Sequence, residues 1–293
     1  MSAVPAEVVT PARLRAWPLS EPGVGKESRG TVLVLGGTAS TPGAVRLAGE
    51  AALRAGAGRL VIATARSVAA ALAVAVPEAR VLALDEDEDG CIAPEAAPEL
   101  LAATARADAL LVGPGFVDPD ASVALLAAVL PKVDCALAID GVGTAYLTRQ
   151  PEALAHRPAP AVVTANSGEL ARMLGRDGPD PAELGMESVV GLSGRAGVVV
   201  VAGGEDKRIA APDGRGWIVE GGGPGLGVSG SGDVQAGIVA GLLARGEEPA
   251  KAAVWGGYLH ARAGERLAAS VGRVGYLARE LVAAVPEVLT ELA

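Results

Sequence analysis

Short apolar runs alternate with helix-like segments along most of this chain. The runs contain few polar positions, as in strands that are buried on both faces of a parallel sheet. The segments between them repeat apolar residues every three or four positions, which is typical of helices packed against such a sheet. The pattern predicts a three-layer α/β fold, in which helices cover both faces of a mostly parallel central sheet. The predicted strands are residues 31–35, 59–64, 79–84, 109–112, 135–139, 161–164 and 198–201.

The start of the chain departs from this alternation. Residues 1–29 are rich in Pro, Glu and Arg and show little periodicity, so we expect an N-terminal arm with at most a short helix near residues 11–17. Further along, 207–210 and 216–219 flank Pro212-Asp213-Gly214 and predict a hairpin. Helices are predicted from 44 to the break at Gly56 and at 68–76, 94–105, 118–130, 168–174, 181–192, 234–244, 249–268 and 275–285.

Composition limits the ligands and the location that we expect. The 293 residues are half hydrophobic but include only 3 Trp, 3 Tyr and 1 Phe, too few for a protein that stacks bases. The net charge is −9 without any block of Lys or Arg, which argues against nucleic acid. Polar residues interrupt every apolar stretch and the first residues lack a signal-peptide pattern, so we expect no membrane segment and a cytoplasmic protein. No linker or repeat divides residues 30–293, which predicts a single domain.

Seven glycines lie between Gly221 and Gly232, directly before an apolar helical segment. The change from glycine-rich backbone to helix falls at Gly230-Ser231-Gly232-Asp233. Glycine permits a sharp turn and a close approach of a ligand to the main chain. The free N–H groups at a helix N-terminus favour an anion. The sequence therefore predicts an anion site in this turn, with Asp233 as its only carboxylate.

Two roles are open for Asp233 at this point. Aspartate is a favoured helix N-cap, so the turn could be a plain loop that ends in a capping side chain. Alternatively, the carboxylate takes a proton from a hydroxyl group while the turn holds a phosphate. We favour the second interpretation because of the number of glycines and because other polar residues are expected at the same edge of the sheet.

Most of the remaining glycines and polar residues that interrupt the apolar pattern lie directly after predicted strands. Ligands of parallel α/β sheets bind at the carboxyl ends of the strands. We therefore expect one cleft to collect the residues at these ends, which are Gly36-Gly37, Gly113-Pro114-Gly115, Asp140, Thr164 to Glu169, Ala202 to Asp206 and Gly230 to Asp233.

Several of these segments together resemble the ribokinase-like superfamily and, within it, the carbohydrate-kinase-related family of ADP/ATP-dependent (S)-NAD(P)H-hydrate dehydratases. The resemblance runs from Lys26 to about Leu267. It rests on KESRGTVLVLGG, TPGAVRLAGEAALRAGAG, ADALLVGPGF, TANSGELARML and PGLGVSGSGDVQAGIVAGLLARG, with His260 further on in GGYLHARAGERLA. Many short motifs in order are more specific than any one of them. At His260 itself, the usual burial of such residues favours a core or interface histidine over a ligand.

The resemblance implies an activity, cofactors and partners. Members of this family use ADP or ATP, with Mg2+, to remove the water that has been added to the nicotinamide ring of NADH or NADPH. This is a lyase reaction of metabolite repair. The resemblance also implies a separate NAD(P)H-hydrate epimerase as functional partner, because residues 1–29 are too few to form that domain, and it implies a homo-oligomer, with a tetramer as one option.

Roles for individual residues also follow from the resemblance. It implies that Asp233 is the catalytic acid or base and that Glu169 orients magnesium through water. The residues implied for substrate binding are Ala44, Gly115, Asn166 and Asp233. The residues implied for nucleotide binding are Ala202, Gly203, Gly204, Glu205, Asp206, Gly230, Ser231 and Gly232.

Several positions depart from the family's pattern. Ala202 stands where the family has a lysine near the phosphates, Asn166 where it has a histidine, and Asp140-Gly141-Val142 where it has Asp-Ala-Asp. The loss of the lysine removes a point charge that would act strongly in a low dielectric. These changes leave weaker or redirected activity open, while the intact turn at Asp233 favours an active enzyme.

Two other functions remain open from the sequence. A small-alcohol kinase of the same superfamily would use the same aspartate and anion site, and Asn166-x-x-Glu169 has the form that the resemblance associates with such kinases. A non-catalytic nucleotide-binding homologue would account for the changes at Ala202 and Asn166. Recovered absorbance of reduced nicotinamide, a stable phosphorylated alcohol, or nucleotide binding without turnover would distinguish the dehydratase, the kinase and the non-catalytic protein.

Overall fold

The apolar runs form the strands of one sheet. The computed structural model describes residues 5–21, 23–178, 184–204 and 206–292, and ten strands of these residues pair in a single sheet. They are β1 (Ala6–Val8), β2 (Thr31–Leu35), β3 (Arg59–Ala65), β4 (Ala79–Leu84), β5 (Ala109–Val112), β6 (Ala136–Ile139), β7 (Ala161–Ala165), β8 (Val199–Ala202), β9 (Lys207–Ala210) and β10 (Gly216–Val219). Their order across the sheet is β1-β10-β9-β8-β7-β6-β5-β2-β3-β4.

Neighbouring strands are parallel except at β9, which runs antiparallel to both β8 and β10. The pairing of Gly216 with Ala210 closes the predicted hairpin. Each buried run that predicted a strand forms one, and its bounds differ from the prediction by one residue at most. The mostly parallel sheet expected from the continuous apolar runs is therefore confirmed.

Helices cover both faces of the sheet. In the described ranges they are α1 (Pro11–Arg15), α2 (Gly43–Arg54), α3 (Arg66–Ala75), α4 (Ala97–Thr104), α5 (Pro119–Val129), α6 (Ala145–Arg149), α7 (Ser167–Met173), α8 (Met186–Ala196), α9 (Ser231–Ala244), α10 (Pro249–Ser270) and α11 (Ala278–Leu292). Successive residues of a strand point to opposite faces, so Val32 and Val34 join one core while Leu33 and Leu35 join the other. Helices α2, α9, α10 and α11 bury their apolar residues in the first core, and α4, α5, α7 and α8 in the second. The predicted three-layer α/β fold is confirmed.

None of the helices in the described part of the chain is long and apolar enough to cross a membrane.

Some helix bounds differ from the sequence pattern. The last helix was expected to end at Val285, before Pro286, but α11 continues through this proline to Leu292. Val288 and Leu292 extend the buried face of the helix, and this packing outweighs the hydrogen bond that a proline removes. Helix α6 lacked a clear period because it spans only five residues. Helix α8 begins at Met186, and the expected start at 181 lies outside the described residues.

The N-terminal arm packs into the sheet. Its strand β1 pairs in parallel with β10, where Ala6 aligns with Gly216. The ring of Trp17 stacks on Trp217 with centroids 6.0 Å apart, and Trp255 Nε1 donates a hydrogen bond of 2.9 Å to the Trp17 carbonyl. A three-residue strand is too short to give a periodic signal, which is why the sequence pattern indicated little structure here.

Helices α2 and α9 pack with their backbones in close approach. A Cβ atom added to Gly237 would lie 2.1 Å from the carbonyl oxygen of Ala48, and one added to Gly241 would lie 2.5 Å from that of Ala52. No side chain fits between the two helices at these points. The absence of side chains at both glycines therefore sets the position of α9, and with it the position of the Gly230–Asp233 turn where α9 begins.

Candidate active site

A cleft with a volume of about 950 Å³ opens at the carboxyl ends of β6, β7 and β8. Asp140 directly follows β6, Asn166 follows β7 and Gly203 follows β8, while the first turn of α9 closes the opposite wall. This is the edge of the sheet at which we expected the polar residues to meet. The predicted site residues that line the cleft are Asn166, Glu169, Gly203, Gly204, Asp206, Gly230, Ser231, Gly232 and Asp233.

The other predicted residues have different positions. Ala202 is buried in the second core and is not among the described residues that line the cleft. Ala44 and Gly115 are also absent from that lining but adjoin each other, since a Cβ built on Gly115 would lie 3.0 Å from the Ala44 Cβ. Ala44 precedes Leu47 by one helical turn, and the Leu47 side chain packs against Gly230. Glu205 lies outside the described residues.

The turn before α9 leaves the helix uncapped. Gly230 is the N-cap residue, with a φ of 88° that favours glycine, and no side chain caps the helix. Asp233 is the third residue of α9, so the interpretation of Asp233 as N-cap is wrong. Because first-turn amides lack acceptors within their own helix, those of Gly232 and Asp233 remain available to an anion in the cleft.

Asp233 has a pKa close to neutral pH. Burial raises the pKa of this carboxyl to about 6, and the negative charge of Glu169 adds to the increase. A carboxylate with this pKa is ionised at neutral pH and still basic enough to accept a proton from a substrate. The geometry therefore places this carboxyl beside helix amides that lack a side-chain cap, and the roles of general base and anion site stay predictions.

Asp140 is a second buried carboxyl on the same cleft. It is 7% exposed and accepts a hydrogen bond of 2.6 Å from the Thr164 hydroxyl. Burial raises the pKa of Asp140 to about 8, helped by the charge of Asp233. At neutral pH, Asp140 is therefore protonated beside an ionised Asp233. The sequence indicated Asp140 only as a residue at a strand end.

Asn166 and Glu169 cap the start of α7 reciprocally. The Glu169 amide donates to Asn166 Oδ1 and the Asn166 amide donates to Glu169 Oε2, each at 2.9 Å. Burial raises the pKa of Glu169. The described residues contain no cluster of three His, Cys, Asp or Glu side chains that could enclose a metal. Two neighbouring carboxylates, Glu169 and Asp233, instead fit a magnesium ion that keeps waters and takes further ligands from phosphates.

His260 and Lys207 line the cleft, although the sequence analysis favoured a core or interface role for His260 and did not single out Lys207. His260 is 4% exposed, and its Nε2 lies 2.9 Å from Ser231 Oγ in the first turn of α9. Lys207 is also 4% exposed and lines the cleft. Lys207 lies two residues before Ile209, a core residue of the same strand. The two-residue period of β9 thus puts a lysine at an inward position, a signal that would have identified it.

The sequence profile of a family described as NAD(P)H-hydrate dehydratase matches residues 32–287. The chain belongs to this family. A curated relative, the ADP-dependent (S)-NAD(P)H-hydrate dehydratase of Xanthomonas campestris pv. campestris, is 44% identical over 284 residues, which span 97% of this chain and 96% of the relative. The family predicted from the motifs is confirmed.

Solved structures agree with this membership. The ADP/ATP-dependent NAD(P)H-hydrate dehydratase of Bacillus subtilis, co-crystallised with ATP/Mg2+, superposes with a TM-score of 0.81 at 27% identity and covers 99% of this chain and 100% of its own. A hydroxyethylthiazole kinase of Pyrococcus horikoshii superposes with a TM-score of 0.57 at 19% identity, covering 89% of each chain, which shows a shared fold alone. The dehydratase therefore matches this chain more closely than that kinase does.

Proposed function

We propose that this chain is an ADP- or ATP-dependent dehydratase that converts (S)-NAD(P)H-hydrate to NAD(P)H. One observation supports this most directly: in a chain of the dehydratase family, the half-buried Asp233 lies in the first turn of an uncapped helix in the main cleft. The first feature supplies a base for a hydroxyl proton, and the second supplies a site for the phosphate that activates that hydroxyl as a leaving group.

In the proposed mechanism, the first-turn amides of α9 hold the terminal phosphate of the nucleotide in the cleft. Asp233 accepts the proton of the hydroxyl on the hydrated ring as that oxygen takes the terminal phosphoryl group of the nucleotide. The phosphoanhydride bond to that group breaks, and the nucleotide leaves with one phosphate fewer. The bond between the ring carbon and this oxygen then breaks, the oxygen leaves with its electron pair as phosphate, and loss of a ring proton restores the double bond. Asp233 is suited to the first step because its pKa of about 6 lies just below neutral pH.

Glu169 would hold magnesium through water. One of its oxygens already accepts the Asn166 amide, which fixes the carboxylate and leaves the other oxygen for a water ligand. When bound, the ion neutralises charge on the phosphates. Glu169 itself orients the water, and its capping interaction with Asn166 keeps it in place.

The remaining residue roles are part of the same proposal. Asn166, which lines the cleft, would contact the hydrated nucleotide together with Asp233, and Gly203, Gly204 and Asp206 would contact ADP or ATP. Ala44, Gly115 and Ala202 are not among the described residues that line the cleft, and Glu205 lies outside the described residues. The roles of these four residues are supported by the family resemblance.

We also propose a cytoplasmic homo-oligomer that works with a separate NAD(P)H-hydrate epimerase. The epimerase is supported by the (S) epimer in the names of relatives, since an enzyme for one epimer needs a second activity to supply it from the other. An oligomer, with a tetramer as one option, is supported by exposed apolar residues between α10 and α11, Val271, Val274 and Leu277.

The test is turnover of hydrated NADH or NADPH with Mg2+ and either ADP or ATP, measured by the recovered absorbance of the reduced ring. Asp233→Asn should lower turnover by about a hundredfold or more while ADP binding persists. Asp134→Asn, which changes an exposed carboxylate outside the described lining of the cleft, is the control with the same substitution and should keep most turnover. Near-normal turnover of Asp233→Asn would refute the proposal.

A small-alcohol kinase is the second candidate, favoured by the Asn166-x-x-Glu169 pair alone. Such a kinase would release a stable phosphorylated alcohol and restore no nicotinamide absorbance. Binding of ADP without turnover of either substrate would instead indicate a non-catalytic homologue.

A further inference from the structure

Lys207 is a buried lysine without a partner. It begins β9, is 4% exposed, and contributes to the wall of the cleft. Its stem passes close to Gly257 of α10, where an added Cβ would lie 3.4 Å from the lysine Cδ. Among the described residues, neither a hydrogen-bond acceptor nor an ion-pair carboxylate contacts its ammonium group.

A buried ammonium group without a partner is costly. Burial lowers the pKa of Lys207 to about 8, although the more distant charges of Asp206 and Glu265 oppose this effect. The group is still charged at neutral pH, and the residue lines the cleft. Lysines whose pKa is shifted in this way cluster at functional sites.

The carboxyl groups that line the cleft outnumber its cationic side chains, so an anionic ligand needs a positive charge such as that of Lys207. Among the described residues, four carboxyl groups line it, on Asp140, Glu169, Asp206 and Asp233, and Asp140 is protonated at neutral pH. The cationic side chains of this lining are Lys207 and Arg273. Arg273 is exposed, whereas Lys207 is deep in the wall. A polyanion that enters this cleft meets more negative than positive charge. The attraction of the Lys207 ammonium group then matters most, because it acts in a buried region of low dielectric.

Lys207 also shares the cleft with the uncapped end of α9. Its stem lies against Gly257, about one helical turn before His260 on α10. His260 in turn contacts Ser231 Oγ, in the first turn of α9, at 2.9 Å. Lys207, His260 and Ser231 all line the cleft. At the neighbouring strand end, Ala202 pairs with Arg208 and offers no charge.

We propose that Lys207 binds a phosphate group of the nucleotide beside the first turn of α9. This inference rests on the proposed function for the identity of the ligand as ADP or ATP. Lys207 provides a charge from the wall of β9, and the α9 amides provide hydrogen bonds from the opposite side. The nucleotide is favoured over the pyrophosphate of the hydrated substrate because Lys207 lines the same cleft as the first-turn amides of α9, where the nucleotide phosphate is proposed to bind.

Calorimetric titration of the full chain with Mg2+ and ADP tests this proposal. Lys207→Met keeps the length of the stem and removes the charge, and it should weaken ADP binding about tenfold or more, as expected for a lost charge-assisted contact. Adenosine, which has no phosphate, should bind wild type and Lys207→Met equally. Arg208→Met is the matched control on the same strand, outside the described lining of the cleft, and should bind ADP like wild type.

A pH series separates a phosphate contact from a structural role. Between about pH 7 and 9 the wild-type affinity for ADP should fall as Lys207 loses its proton. Asp140 also ionises in this range, so the affinity of Lys207→Met should fall as well, but less steeply than that of wild type. Should Lys207→Met fail to fold, Lys207→Gln provides the same comparison. Equal ADP affinity and equal pH profiles in variant and wild type would overturn the proposal.

Two further outcomes are informative. A rise in KM for the hydrated substrate with unchanged ADP affinity would mean that Lys207 contacts the other pyrophosphate, which contradicts the assignment to the nucleotide. If wild type binds ADP but restores no reduced nicotinamide, the proposed function fails, and the comparison of ADP affinities still decides the role of Lys207.

Discussion

His260 and Ser231 are joined by a hydrogen bond of 2.9 Å between the imidazole Nε2 and the hydroxyl Oγ. Burial and the charge of Lys207 lower the pKa of His260 well below its ordinary value, so the ring is neutral. Its Nδ1 is buried without a partner among the described residues. Because an unpaired N–H group is harder to accommodate than an unpaired lone pair, we infer that Nε2 holds the proton and donates it to Ser231. The Ser231 hydroxyl is then free to donate into the cleft.

Replacing His260 should therefore weaken nucleotide binding through Ser231. His260→Leu should reduce ADP affinity about three- to tenfold, the effect of one hydrogen bond of about 1 kcal/mol. Isothermal titration in a double-mutant cycle with Ser231→Ala measures the coupling. The effect of His260→Leu should largely disappear when Ser231 is already alanine, and additive losses would contradict the inferred link.

The stability of the protein should fall in mild acid because of His260. Its pKa is lowered in the folded state, so the unfolded chain binds the additional proton first as the pH falls below about 6.5. The free energy of unfolding should then decrease by at most about 1.4 kcal/mol per pH unit for this group. Urea unfolding of wild type and His260→Leu between about pH 7.5 and 5 provides the measurement. If both lose stability equally, the buried neutral imidazole is not the cause.

The activity should have an acid limb set by Asp233. Its pKa is raised to about 6 by burial and by Glu169, so kcat/KM should fall as the pH drops through about 6 and the base becomes protonated. Glu169→Gln removes the neighbouring charge while an amide can still serve the cap of α7. The midpoint of the acid limb should shift to lower pH in Glu169→Gln, measured at saturating Mg2+. An unshifted or higher midpoint would contradict this electrostatic assignment.

Asp140 should make the protein less stable as the pH rises. Its folded pKa of about 8 lies above the ordinary value of 3.8, so between these two values the unfolded chain has lost the proton that the folded protein keeps. The free energy of unfolding therefore falls with increasing pH over this range and levels off above about 8. Asp140→Asn, a neutral isostere, should reduce this slope. Parallel pH profiles from urea unfolding of variant and wild type would contradict the prediction.

Two glycine-to-alanine substitutions should change the free energy of unfolding in opposite directions. In both Gly191→Ala and Gly237→Ala a helical glycine gains helix propensity, which alone stabilises by about 0.5–1 kcal/mol. Gly191 is exposed on α8 with nothing near its added Cβ, so Gly191→Ala should be stabilising. A Cβ on Gly237 would meet the Ala48 carbonyl oxygen at 2.1 Å, so Gly237→Ala should destabilise by about 1–3 kcal/mol. Chemical denaturation measures both changes, and a neutral or stabilising Gly237→Ala would contradict the tight packing of α2 on α9.

The sequence was sufficient to predict those elements whose structure depends on a local pattern of residues. Continuous apolar runs such as Thr31–Leu35 could only be buried strands, and the glycines around Gly230 required a turn before a helix. The fold and family could therefore be predicted. The strand Ala6–Val8 could not, because three residues have no period and their place depends on pairing with the distant Gly216.

The same distinction between local patterns and distant packing decides which site residues the sequence could indicate. Asp233 and Glu169 belong to local motifs, whereas Lys207 and His260 meet only when β9 and α10 pack together. The neutral state of Asp140 depends on a neighbouring charge from α9, which the sequence does not locate. The roles assigned to Ala44, Gly115 and Ala202 stay predictions, since none of the three is among the described residues that line the cleft.

The contact of Gly237 with Ala48 has a consequence for how the cleft opens. With backbone against backbone, α2 and α9 have no compliant layer of side chains through which one could slide over the other. We therefore expect the Gly230–Asp233 turn and the start of α2 near Ala44 to move as one rigid block. Ligand entry and product release therefore depend on the opposite wall, where the hairpin of β9 and β10 leads into the glycine-rich loop that begins at Gly221.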